Sequence, residues 1–197
     1  DRVLERAHRG HRAADTERAV IRLKAGPYAV GLQVMVGLPG EDPASSLYTG
    51  ERAAALSPDF VRIYPTVVLK NSLLAKWHRE GAYTPLTLDA AVLRTKRLYR
   101  IFEEKNIPVI RMGLQPTNEM TLGTGILAGP HHPAFGELVY SAIFYDKAIE
   151  MIRVMARLPE KIELKVHPKN VSKMRGCRNN NLKKLSEQFG IKTVRVL

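Results

Sequence analysis

Two short apolar runs dominate the first third of the chain. Val30-Gly31-Leu32-Gln33-Val34-Met35-Val36 has one polar interruption and empties into Gly37-Leu38-Pro39-Gly40-Glu41. Phe60-Val61-Arg62-Ile63-Tyr64-Pro65-Thr66 comes next and continues into Val67-Val68-Leu69-Lys70. Runs of this length, rich in β-branched residues and bounded by Gly and Pro, predict strands. Between them Asp42 and Pro43 mark a helix start, and helical spacing carries on to Leu56. Strand, Gly-rich loop, helix, strand is the unit of a parallel sheet, and such sheets bind ligands at the carboxyl ends of their strands.

The remaining pattern extends this order. Val3, Leu4 and Ala7 predict a first helix from Arg2 to His8, broken at Arg9-Gly10-His11. A second runs from about Ala13 to Ala25 and stops at Gly26-Pro27. Ser72 caps a short helix through Leu73, Leu74 and Trp77 that ends near Gly81. Thr87 caps a long one, Leu88 to Lys105, with Val92, Leu93 and Leu98 expected inward. A third strand is expected over Ile107 to Leu114. Residues 116–133, rich in Gly, Thr and Pro, read as a loop. Ala134 to Arg157 reads as a helix, and Pro159 marks a boundary. Beyond it the pattern predicts strand (Ile162 to Val166), helix (Asn170 to Met174), turn (Gly176 to Asn179), helix (Asn180 to Phe189) and strand (Thr193 to Leu197). The fold class is therefore α/β over 1–157, followed by a small α+β tail over 158–197.

Composition sharpens the tail. The whole chain of 197 residues carries net charge +12, from 31 Lys or Arg and 19 Asp or Glu. Residues 158–197 hold ten of the basic residues and three acids, a net +7. Such an excess favours polyanionic partners, with a solvated basic surface as the plain alternative. A single cysteine, Cys177, excludes an internal disulfide framework and a cysteine-only metal site within one copy. There is no apolar run of about 18 residues, the length a spanning helix needs. The N-terminus, Asp1 to Arg6, has charges with no apolar run behind them and is no signal peptide. A soluble cytoplasmic protein is expected.

Several residues could carry chemistry. Glycine lets the Gly37–Gly40 backbone approach a ligand closely, although a tight strand-to-helix turn explains the loop as well. Gln33 and Arg62 interrupt otherwise apolar strands. By alternation Gln33 shares a face with Met35, and Arg62 with Tyr64. Such polar residues meet a ligand or one another. Arg9, at a helix break, could grip a carboxylate through both guanidinium nitrogens. His8, His11, His131 and His132 lack the spacing and the acidic company of a metal site, and none is expected. In the tail, Gly176-Cys177-Arg178-Asn179 sits between two helices, and Asn179 suits a left-handed position. The turn is shaped like the Gly-x-x-Gly loop of KH-type modules, which clamps a nucleic-acid backbone. RNA contact through Gly176, Arg178, Lys183 and Lys184 and a merely structural basic domain are the two readings.

Arg9-Gly10-His11, Gly37-Leu38-Pro39-Gly40 and Arg62-Ile63-Tyr64-Pro65-Thr66-Val67-Val68-Leu69-Lys70 together resemble the radical S-adenosylmethionine (radical SAM) superfamily. The likeness is to the branch of the elongator catalytic subunit and the oxygen-independent coproporphyrinogen III oxidase-like proteins. It extends through Trp77, Gly81 and Tyr83 to the stretch Gly129 to Glu137. The resemblance implies the C-terminal half of a partial (β/α) barrel over 1–157. It implies a parent enzyme that cleaves S-adenosylmethionine at a [4Fe–4S] cluster to form a 5′-deoxyadenosyl radical. The three cluster cysteines of that family are absent here, so neither cofactor nor turnover is expected of these residues by themselves. The resemblance places Arg9 near the SAM carboxylate and Gln33 where the branch has a ribose-facing aspartate. It sets Val36, Gly37 and Leu38 beside adenine, and Tyr64 and Lys70 toward adenine or substrate. Arg111 and Gln115 are implied substrate contacts, with His132 and Glu137 as weaker ones. The implied substrate is tRNA, with a porphyrinogen as the alternative. A half-barrel would also leave a cut edge, and self-association through it is expected.

Overall fold

The computed structural model describes residues 1–115 and 125–197. Part of the expected loop, residues 116–124, lies outside the described residues. Two compact units divide the chain, Asp1–Phe135 and Gly136–Leu197.

The first unit is built on three parallel strands, hydrogen-bonded in the order Gly31–Val36, Phe60–Pro65, Val109–Met112. Helices α1 (Arg2–Arg6) and α2 (Ala13–Lys24) lead into β1 (Gly31–Val36), followed by α3 (Pro43–Ala55) and β2 (Phe60–Pro65). After β3 (Val68–Leu69) and α4 (Leu73–Arg79), the long α5 (Leu88–Glu104) returns the chain to β4 (Val109–Met112). The expected caps form. The Asp42 carboxylate accepts from the Ser45 amide at 2.7 Å, and the Ser72 and Thr87 hydroxyls accept at the starts of α4 and α5.

Alternation along the strands separates two faces. Val34, Val36, Val61 and Ile63 point into one core with Leu98, Phe102 and Ile107. Each such side chain stabilises the fold by about 1.5–3 kcal/mol when fully buried. At the α3–α5 crossing a Cβ on Gly50 would lie 2.6 Å from Leu98, so this approach requires glycine. The long helix buries Ala91, Thr95, Leu98 and Phe102, whereas Leu93, expected inward, is 43% exposed. The inward stripe is therefore rotated from the expected one, and Leu93 lies off it.

Two further expectations change. The apolar run through Lys70 is not one strand: β2 ends at Pro65, because Pro cannot donate to a ladder. Val68–Leu69 instead pairs antiparallel with β5 (Ile126–Ala128), so the expected loop of 116–133 contains a strand. The third parallel strand is shorter than expected and carries an irregularity. Val61 pairs with Val109 but Arg62 pairs with Arg111, leaving Ile110 as a bulged residue.

In the second unit, the body of helix α6 (Phe135–Arg153) contributes Ala148 and Ile152 to the core of the tail. The tail is β6 (Lys161–Leu164), a 3-10 turn at Pro168–Asn170, α7 (Val171–Arg175), a second such turn at Cys177–Asn179, α8 (Asn180–Phe189) and β7 (Thr193–Val196). Strands β6 and β7 are parallel, with Glu163 opposite Arg195. The compact units thus meet at 135/136 rather than at the expected 157/158, because that helix packs on the tail strands. Its end at Arg153, short of Arg157, leaves Val154 84% exposed.

Candidate functional site

The Gly37–Glu41 loop leaves the carboxyl end of β1, and its polar backbone is satisfied from within. The Glu41 carboxylate folds back to accept from the Gly37 amide and, at 3.1 Å, from the Leu38 amide. Its side chain is 5% exposed, and the Arg94 guanidinium lies 3.5 Å from it. The Tyr83 hydroxyl donates to the Gly37 carbonyl at 2.6 Å, and the Thr66 amide donates to the Val36 carbonyl at 2.8 Å. Burial, followed by the Glu41 charge, pushes the Tyr83 phenol up to about 12. The loop groups implied to flank adenine are therefore engaged inside the fold. What Leu38 offers a ligand there is apolar surface.

The open face of the sheet carries a polar row. Gln33 pairs with Arg62, and Arg62 pairs with Arg111, so the three stand abreast across the strands. All three are exposed. Met35 and Tyr64 form the next rung, both half-buried. The Arg62 guanidinium carbon lies 5.7 Å from the centre of the Phe60 ring. Among the described residues neither arginine has an acidic partner. Two cations in neighbouring positions without a carboxylate form a site suited to an anion.

A cleft of about 550 Å³ runs along the free edge of β1, between that edge, α3 and the two N-terminal helices. It brings together Arg9, Gln33 and Leu38, with His11 and Glu41 also in its wall. Tyr64 lies on the open face, one strand away from the cleft. Lys70 follows β3 and is exposed, its amide donating to the Gly125 carbonyl at 2.8 Å. Gln115 is exposed after β4. The Nδ1 of His132 accepts from the Ala134 amide at 3.0 Å, a local role at the start of α6.

Gly176, Arg178, Lys183 and Lys184 belong to the second unit. Arg178 and Asn179 both take left-handed conformations, with φ of 51° and 60°. Gly176 has φ of 70°, and a Cβ there would lie 2.9 Å from the Ser141 hydroxyl. A residue that sequence reasoning missed holds this turn. The Asn181 side chain, in a residue 6% exposed, approaches the Ser141 carbonyl at 2.9 Å and the Met174 carbonyl at 3.1 Å through Nδ2. Glu41 and Tyr83 were also missed as builders of the loop. The four-residue spacing from Gly37 signals Glu41. Nothing local signals Tyr83, 46 residues away.

A cluster held by three thiolates does not fit these residues. Cys177 is the one cysteine of the sequence, and it is exposed in the second unit. Among the described residues no three His, Cys, Asp or Glu side chains gather as a metal site, and no helix is long and apolar enough to cross a membrane.

Residues 58–145 match the Radical_SAM C-terminal domain. The chain is 33% identical over 88 residues to the tRNA uridine(34) acetyltransferase of Dehalococcoides mccartyi, covering 43% of this chain and 19% of that protein. It is 30% identical over 100 residues to Protein YhcC of Escherichia coli, covering 51% and 32%. The tRNA uridine(34) acetyltransferase of Methanocaldococcus jannaschii matches at 30% over 93 residues, covering 46% and 17%. The matched region thus spans a third or less of each of these relatives. Strand β2, the Tyr83 anchor, α5 and β4 all fall in residues 58–145, and through this radical SAM C-terminal domain the chain is related to the radical SAM proteins.

Proposed function

We propose that these residues serve a radical SAM enzyme that modifies tRNA, as part of its (β/α) barrel. The open face of β1-β2-β4 is the side that meets the nucleoside and the substrate. The observation that carries the reading is the match of residues 58–145 to the Radical_SAM C-terminal domain, together with relatives named as tRNA uridine(34) acetyltransferases. Arg62 and Arg111 on the open face, without an acidic partner among the described residues, support it, since a tRNA substrate brings phosphates.

In this reading Arg9, Gln33 and Leu38 line the side of the cofactor, with Val36 and Gly37 setting the loop and Tyr64 on the adjoining rung. Arg111 acts with Lys70 and Gln115 on the side of the substrate. The Glu41–Tyr83 anchor keeps Leu38 in place without itself touching a ligand. The iron–sulfur cluster is not held by these residues, which offer one exposed cysteine, Cys177. A porphyrinogen, whose carboxylates an arginine pair would also suit, is the competing substrate.

The test uses the complete protein that contains these residues, supplied with S-adenosylmethionine and a reductant. Turnover of S-adenosylmethionine should rise on adding tRNA and stay flat on adding coproporphyrinogen. Stimulation by the porphyrinogen alone would overturn the tRNA assignment.

A further inference from the structure

Acids are sparse in the tail. Its three acids are Glu160, Glu163 and Glu187. Glu160 pairs with Lys192 at 2.7 Å, and Glu163 stands opposite Arg195 across β6–β7. Glu160 thus meets a cation directly, whereas Glu187 lies in α8, four residues beyond Lys183. Between Lys165 and Ser186 there are seven Lys or Arg and no Asp or Glu. Among the described residues none of the seven forms an ion pair. Lys173 lies 4.6 Å from the centre of the Tyr140 ring, and Lys184 lies 5.9 Å from that of Tyr145.

The turn at the centre of this cationic stretch is built. Arg178 is held at positive φ, a conformation that a non-glycine residue rarely adopts. Asn181 fastens the following helix to the Ser141 and Met174 carbonyls, and Gly176 fits only because it has no Cβ. Arg178, Asn179 and Asn180 are left exposed on a fixed backbone, flanked by Lys183 and Lys184. A fixed array of cations and amide donors matches a phosphodiester backbone. A membrane surface is the less suitable partner, because no large apolar side chain is exposed between residues 165 and 186.

We propose that the helix–turn–helix face of residues 165–186, centred on Arg178, binds the sugar-phosphate backbone of RNA. This surface lies outside residues 58–145 and does not depend on the radical SAM reading. Either can hold while the other fails.

The experiment is fluorescence anisotropy of a labelled single-stranded RNA with the full chain across a salt series. Binding should weaken with salt, and log K against log[salt] should have a slope of about −0.7 per phosphate contacted. Replacing Lys183 and Lys184 by Ala should reduce that slope by about 1.4 and weaken binding about tenfold near 100 mM salt. Lys192→Ala with Arg195→Ala removes the same charge from the strands and should leave affinity within about twofold. Arg178→Gly, which relieves the backbone, should also weaken binding while leaving the thermal transition no lower. The proposal is overturned by any of three results: no binding at about 50 mM salt, equal loss from the two double variants, or tighter capture by phosphatidylserine vesicles than by RNA.

Discussion

Arg62 and Arg111 stand side by side across β2 and β4, on the exposed face of the parallel sheet and, among the described residues, with no carboxylate paired to them. Like charges in such positions weaken a sheet. A fold-stability role therefore does not explain the pair, whereas the anionic substrate proposed above would. Changing either arginine to Gln should move Tm by no more than about 2 °C, as for other exposed positions. A fall of about 6 °C or more in differential scanning calorimetry would mark the pair as structural instead.

Glu41 behaves in the opposite way. Its carboxylate is the internal acceptor of the Gly37 and Leu38 amides and the neighbour of a largely buried Arg94. Glu41→Ala should cost about 3–5 kcal/mol, because it leaves a buried cation and two amides without their partner. Replacing Glu41 and Arg94 together by Leu should cost less than Glu41→Ala alone. Urea unfolding of the three proteins decides the matter, and equal losses would show that the pair is uncoupled.

Tyr83 supplies a pH signature. Its phenol is pushed up to about 12, first by burial and then by Glu41. The folded pKa lies above the unfolded value of 10.0, so the neutral hydroxyl contributes stability that is complete below pH 10. That contribution is lost as pH rises from 10 to about 12. Tyrosinate absorbance should show Tyr83 among the late-titrating phenols, with Tyr145 also raised by burial, and Tyr83→Phe should remove one late step and leave the other. The same variant should cost about 1 kcal/mol at neutral pH through the lost bond to the Gly37 carbonyl.

The turn of the second unit is tested by two changes of opposite sign. Asn181→Ala removes the donor that ties α8 to the Ser141 and Met174 carbonyls and should cost about 1–3 kcal/mol. Arg178→Gly should raise stability by up to about 1 kcal/mol, because glycine accepts positive φ freely. Paired thermal melts check both signs. Loss of stability in Arg178→Gly would mean that the arginine side chain, rather than RNA binding, justifies its backbone.

Much of this arrangement is legible in the amino-acid sequence. The parallel pairing of the two first strands, the caps at Asp42, Ser72 and Thr87, and the strand–helix–helix–strand order of the tail follow from local signals, because turn residues and apolar periodicity act over a few positions. The Arg62–Arg111 row is legible in half. Arg62 interrupts an apolar strand, but its neighbour depends on a bulge at Ile110 that no periodicity reveals. The internal use of the Gly37 and Leu38 amides is hidden because Tyr83 and Arg94 reach the loop from distant elements. The rotated face of α5 misleads at Leu93, where residue type points inward and packing does not.

The most direct measurement joins the open sheet face to tRNA. Nucleosides from total tRNA are profiled by mass spectrometry in cells lacking the protein that contains these residues, and again after its return. One modified nucleoside should vanish and be restored by the unaltered protein. It should stay missing with Arg62→Gln and Arg111→Gln together, although that variant accumulates normally. An unchanged profile in the deletion strain, or full restoration by the double variant, contradicts the account.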